Sequence, residues 1–101
     1  MRMFMRVTLP NESFNAALKD GTASAKMQKI LADLKPEAAY FVEMAGKRTG
    51  LIFFHMEDQS KIPAVAEPWF LTFGADVELR PAMNTDDLAK ANLDAVAKKW
   101  A

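Results

Sequence analysis

Five ionisable side chains could do chemistry together: Arg6, Glu43, His55, Glu78 and Arg80. Two guanidinium groups can grip a carboxylate or enolate oxygen bidentately and hold a small organic acid in place. His55 is the sole histidine, and an imidazole with an unperturbed pKa of about 6.5 can move a proton at neutral pH. Phe4, Phe41 and Phe53 would supply the apolar wall that such a site needs. A structural interpretation competes with this one. Arg6–Glu78 and Glu43–Arg80 would then be paired charges, within one sheet or across a dimer, and His55 would be hydrogen-bonded. Opposed charges on neighbouring strands are ordinary sheet chemistry and perturb pKa values without any function. The structural interpretation is preferred.

Composition removes several alternatives. Lysine plus arginine equals aspartate plus glutamate at 13 each, so the chain lacks the basic footprint of a nucleic-acid or anionic-membrane binder. The absence of cysteine removes disulfides, thiolate catalysis and cysteine-ligated metals together. A single histidine leaves little for a metal site unless carboxylates or a second subunit complete it, and neither metal nor cofactor is expected. Gly46-Lys47-Arg48-Thr49-Gly50 is not a phosphate loop, because the lysine of that motif follows the second glycine and opens a helix. Seven methionines suit an adaptable core. No apolar run approaches the ~20 residues of a membrane helix. Met1–Arg6 is interrupted by arginine and does not read as a signal peptide. The expectation is a cytoplasmic single domain over residues 1–101, half of it hydrophobic, which is enough for one core.

The elements that must position these residues follow from pattern. Residues 37–57 read as two strands of about eight residues around a polar turn at Gly46–Gly50. Residues 2–9 alternate, with Met3, Met5, Val7 and Leu9 on one face and Arg2, Phe4, Arg6 and Thr8 on the other. Asn11 or Ser13 is expected to cap a helix. In residues 13–34 the stripe Phe14, Ala17, Leu18 and the stripe Met27, Ile30, Leu31, Leu34 lie roughly 150° apart at ~100° per residue. One straight helix could not bury both, so a break is expected near Gly21, with Thr22 or Ser24 capping the second helix. Lys35-Pro36 ends it. Ile62, Val65, Ala66, Trp69, Phe70 and Phe73 recur at helical spacing, with a kink or split expected before Pro68. Val77 and Leu79 alternate with Asp76, Glu78 and Arg80 in a last strand. Asn84 then opens a single closing helix with Leu88, Leu93, Val96 and Trp100 on its apolar side.

Strand, helix, strand, strand, helix, strand is the split βαβ, ferredoxin-like order: an α+β fold with a four-stranded antiparallel sheet and an extra C-terminal helix. Right-handed crossovers centre the first strand between the third and fourth and put both helices on one face. Keeping charges out of the core assigns Phe41, Glu43, Phe53 and His55 to the open face with Phe4, Arg6, Glu78 and Arg80. Tyr40, Val42, Met44, Ile52, Phe54 and Met56 then pack beneath the helices, Tyr40 with its hydroxyl at the edge. So apolar an open face calls for a cover, and a second copy is the simplest one.

The two-faced sheet, with Leu34-Lys35-Pro36-Glu37-Ala38-Ala39-Tyr40-Phe41, Glu67-Pro68-Trp69-Phe70, Val77 through Pro81-Ala82-Met83, and Asp87-Leu88, resembles the dimeric α+β-barrel group of ferredoxin-like domains. It is most similar to the short bacterial members of unknown activity. The group also includes small monooxygenases and muconolactone-isomerase-like enzymes. The resemblance implies a homodimer, and its motifs are structural, so no residue role carries over from them. The chain lacks the several histidines of haem- or metal-using members. Three functions follow. The preferred one is a homodimeric binding or interaction domain without catalysis. The runner-up is a cofactor-free isomerase, decarboxylase or oxygenase acting on a small organic acid inside the dimer barrel. An RNA-binding sheet is disfavoured by the neutral charge and the missing aromatic motif.

Overall fold

The structure is a computed structural model that describes residues 1–101. Strand β1 (Arg2–Leu9) is followed by α1 (Asn11–Lys19), α2 (Ala23–Leu34) and the hairpin β2 (Ala38–Met44) and β3 (Lys47–His55). A short 3-10 turn (Gln59–Lys61) leads into α3 (Ile62–Phe73), then β4 (Asp76–Pro81), α4 (Thr85–Lys90) and α5 (Leu93–Trp100). The strands lie in the order β2-β3-β1-β4, and all three pairings are antiparallel. This is the ferredoxin-like sheet, with β1 central as the crossovers require.

The core lies on one side of that sheet. Met3, Met5, Val7 and Leu9 of β1 and Ile52 and Phe54 of β3 are buried there, with Ala17, Ala23 and Ile30 of α1 and α2 and Trp69 and Phe73 of α3. Each of these strand residues is flanked by neighbours that face the other way, as the two-residue period demands. No helix is long and apolar enough to cross a membrane.

The break between α1 and α2 falls where the change of phase places it. Gly21 has φ +81°, a conformation that costs a residue with a Cβ about 1–2 kcal/mol. The Asp20 carboxylate accepts from the Thr22 N–H at 3.0 Å and from its hydroxyl at 2.6 Å, which tightens the corner and holds the Asp20 pKa below its ordinary value. Neither Asn11 nor Ser13 caps α1. Pro10 takes that position, while the Ser13 hydroxyl donates to the Phe73 carbonyl at 2.6 Å and ties α1 to the end of α3. Thr22 stands at the N-cap of α2 without a side-chain capping bond. Lys35 ends α2 in the left-handed conformation ahead of Pro36.

Three expectations are corrected. The hairpin turn is Ala45-Gly46 rather than Gly46–Gly50. Both of its residues have positive φ, as in a two-residue type I′ turn, and Lys47 to Gly50 belong to β3. Of the kink or split expected before Pro68, the split does not occur: α3 runs as one helix from Ile62 to Phe73 with Pro68 inside it. The burial of Ala66 before Pro68 and of Trp69 and Phe73 after it outweighs the one helical hydrogen bond that proline removes. The closing helix is two helices, because Asn92 adopts φ 52° and its side chain accepts from the Ala95 N–H. Asparagine tolerates the left-handed region, so the chain changes direction there.

Candidate functional site

Register places the candidate residues without ambiguity. On the open face Arg2 pairs with His55, Phe4 with Phe53 and Arg6 with Leu51 across β1 and β3. Phe4 pairs with Arg80 and Arg6 with Glu78 across β1 and β4. The Phe4 and Phe53 rings meet with centroids 5.2 Å apart at 38°. Glu78 is the hub of the charges: Nε and Nη2 of Arg6 both contact its Oε2, while Nη2 of Arg80 bonds its Oε1 at 3.1 Å. One carboxylate therefore bridges both guanidinium groups, through two nitrogens of Arg6 and one of Arg80.

His55 does not join that cluster. It lies four residues along β3 from Leu51, the partner of Arg6, which at a strand's rise is about 13 Å. Its imidazole is exposed at the sheet's end, where the Met1 amino group sits 3.1 Å from both ring nitrogens. Nearby, Arg2 bonds Glu37 at 3.3 Å and Asp87 at 3.0 Å, tying the start of β2 and the first turn of α4 to β1.

Glu43 and Phe41 are on the other face, which corrects their assignment. The two-residue turn sets Met44 opposite Lys47, Glu43 opposite Arg48 and Phe41 opposite Gly50. Phe41 and Glu43 thus share the face of Val7, Leu9 and the helices, and Tyr40, Val42 and Met44 lie on the open face, all exposed. Avoidance of buried charge misled because β2 is an edge strand that the helices leave exposed. A carboxylate on its helix side remains in water, so nothing forbids it there. Its carboxylate accepts from the Gly46 N–H at 2.6 Å and closes the turn. A Glu43–Arg80 pair does not form within the chain, because β2 and β4 are opposite edges of the sheet. Tyr40 is likewise a surface tyrosine, 63% exposed.

The same inversion creates a feature not foreseen from the sequence. A notch of about 600 Å³ opens on the helix side, beside the hairpin tip, over Leu9, Phe14, Met27 and Phe41, with Glu43 and Arg48 among its polar lining. Gly50 lies beneath it, where a Cβ would stand 3.2 Å from the Phe41 ring and the ring would have to shift by a few tenths of an ångström. Arg48 is held in place by its guanidinium over the Phe14 ring, 4.9 Å from the centroid, and by a 2.9 Å bond to Asn15. The signal was available in Ala45-Gly46, a small residue before glycine, which as a two-residue turn dictates the parity of both strands.

No group of three or more His, Cys, Asp or Glu side chains is placed to hold a metal ion. No protein-family model and no curated protein matches the chain. Among solved structures, the de novo designed protein Ferredog-Diesel is similar over 79% of this chain and 84% of its own, at 9% identity and a TM-score of 0.44.

Proposed function

We propose that the protein is a small homodimeric interaction domain, which closes its open sheet face on a second copy as dimeric α+β barrels do and acts without catalysis by its own side chains. The observation that carries this reading is the engagement of Arg6 and Arg80 by Glu78 on a face that otherwise presents Phe4, Leu51, Phe53, Tyr40, Val42 and Met44. A site for an anionic substrate needs guanidinium donors free to receive it, and here Nε and Nη2 of Arg6 and Nη2 of Arg80 already serve a carboxylate of the chain. His55 lies too far along the sheet to exchange a proton with anything held at Arg6. What the face offers is apolar area rimmed by satisfied charge, the composition of an interface core. Burial of that area yields about 25 cal/mol per Å², and the Arg6–Glu78–Arg80 cluster enters it with one net positive charge rather than as three separate ions.

Native mass spectrometry of the gently purified protein tests this reading. The expected spectrum is a dimer without bound small molecule. A monomer throughout the micromolar range would refute the homodimer. A dimer retaining an organic acid would refute the absence of a substrate site and return the enzyme reading to first place.

A further inference from the structure

The chain beyond β4 has no counterpart in the packed body. Its last backbone tie to the sheet is the Ala82 N–H bond to the Arg2 carbonyl at 3.1 Å, and Arg2–Asp87 anchors the first turn of α4. Neither α4 nor α5 contributes a buried residue. The molecule measures 59 × 29 × 19 Å with a radius of gyration of 16.9 Å, against about 13 Å for a compact chain of this length. Yet the arm is carefully built. A capping box of Asn84 and Asp87 starts α4, and Asn92 caps α5. Leu93, Val96 and Trp100 recur at helical spacing on one side of α5, with Lys98 and Lys99 off that stripe. A helix of 8 residues is marginal in water without a surface to pack on.

Building on the homodimer reading above, we propose that this arm docks on a second copy of the chain, with the apolar side of α5 seated in the notch beside that copy's hairpin tip and Trp100 in its cavity. Three observations favour this occupant. First, the notch lies at the Leu9 and Gly46 end of the sheet, whereas the arm leaves from the Met3 and Pro81 end. The arm thus leaves the sheet at the end opposite its own notch, and a two-fold axis running across the strands brings the partner's notch to that end, where the arm passes round the end of the sheets to the partner's helix side. Second, the chemistry is complementary. An indole fits within about 600 Å³ over Leu9, Phe14, Met27 and Phe41. Only one Glu43 oxygen is bonded, to Gly46, which leaves the other for the ammonium groups of Lys98 or Lys99. Third, the area favours it. Four strands of about seven residues project a flat footprint of roughly 450 Å², modest beside the ~800 Å² of accessible surface that each partner buries in a stable interface. An arm given and an arm received add nearly as much again, at a helix's ~10 Å width and 1.5 Å rise per residue.

The chain carries its own reporter. Trp69 is fully buried, whereas Trp100 is 78% exposed within one chain, so acrylamide quenches Trp100 selectively and Trp100→Phe supplies the baseline. The full-length protein is quenched over a dilution series, with its mass followed in parallel by light scattering. The expected result is a several-fold drop in quenching wherever dimer forms, lost in Phe41→Asp, which alters the notch, and in Leu93→Asp, which alters the arm without touching the core. A dimer whose Trp100 is quenched at every concentration overturns the docked arm and leaves the sheet dimer standing. Protection that persists in the monomer overturns it too, because the arm would then fold back on its own chain. Protection retained in Phe41→Asp overturns the notch as receptor. A monomer at all concentrations removes the homodimer and the docked arm together.

Discussion

Leu51 and Ile52 are adjacent in β3 and separate the two faces of the sheet by one residue. Ile52 has no solvent exposure and lies opposite Met5 in the core, while Leu51 lies opposite Arg6 on the open face and is half-buried. Ile52→Ala removes side-chain volume from a cluster closed by Trp69 and Phe54, and the neighbouring β-sheet backbone cannot collapse into the space. The expected loss is about 3–4 kcal/mol, within the 2–5 observed for such truncations. For a domain of this size each kcal/mol moves Tm by roughly 4–8 °C, so the midpoint falls by about 12–30 °C. Leu51→Ala deletes the same kind of group from a surface that one chain leaves open, and about 1 kcal/mol or less is expected in dilute solution. On the proposed homodimer the Leu51 variant falls further behind wild type at high concentration, since a second copy would bury Leu51 and binding adds to stability by mass action. Urea melts at low and high protein concentration measure both terms. Equal losses for the two variants in dilute solution would refute the one-sided core, and a Leu51→Ala penalty independent of concentration would refute burial of that face by a second chain.

Two further outcomes follow from local geometry. Ala45 holds φ 54° in the first position of the hairpin turn, where asparagine is favoured before glycine. Ala45→Asn should therefore raise stability by up to about 1 kcal/mol in thermal melts, and destabilisation would contradict the two-residue turn. The Asp20 carboxyl is held below the usual aspartate range chiefly by the Thr22 hydroxyl and then by the Thr22 N–H. A depressed folded pKa stabilises above the unfolded value and is lost as pH falls through the folded one. The NMR titration of Asp20 should thus have a midpoint below that of an unfolded aspartate, and Thr22→Ala should move it upward. An unchanged midpoint would break the link between this corner and its hydrogen bonds.

Much of this fold is legible in residue order. The alternation of Met3, Met5, Val7 and Leu9 with Arg2, Phe4, Arg6 and Thr8 fixes which side of β1 is buried, because a strand's side chains must alternate. The change of phase between Phe14–Leu18 and Met27–Leu34 locates the corner at Gly21, since one helix axis cannot serve two stripes. Val77 and Leu79 place Glu78 beside Arg6 for the same reason as in β1. The candidate site is legible only in part. Arg6, Glu78 and Arg80 meet as their alternation implies. His55 has the expected face but not the expected neighbours, and Glu43 and Phe41 have neither.

What the sequence by itself determined are the features set by short-range periodicity and by residues with restricted backbones: the element order, the one-sided β1, and the stops at Gly21 and Lys35-Pro36. What only the tertiary structure decided depends on which surfaces remain uncovered. The parity of β2 could be inverted because its helix side remains in water and a carboxylate there costs nothing to hydrate. Helix α3 could keep Pro68 because Trp69 and Phe73 are buried on the sheet. The distance between His55 and Arg6 is a matter of register along two paired strands. The exposed run of α4 and α5 was invisible as well, since a stripe of Leu93, Val96 and Trp100 has the same spacing whether its partner is the chain's own core or another molecule. Periodicity states that a face must be buried, and only three-dimensional packing shows against what.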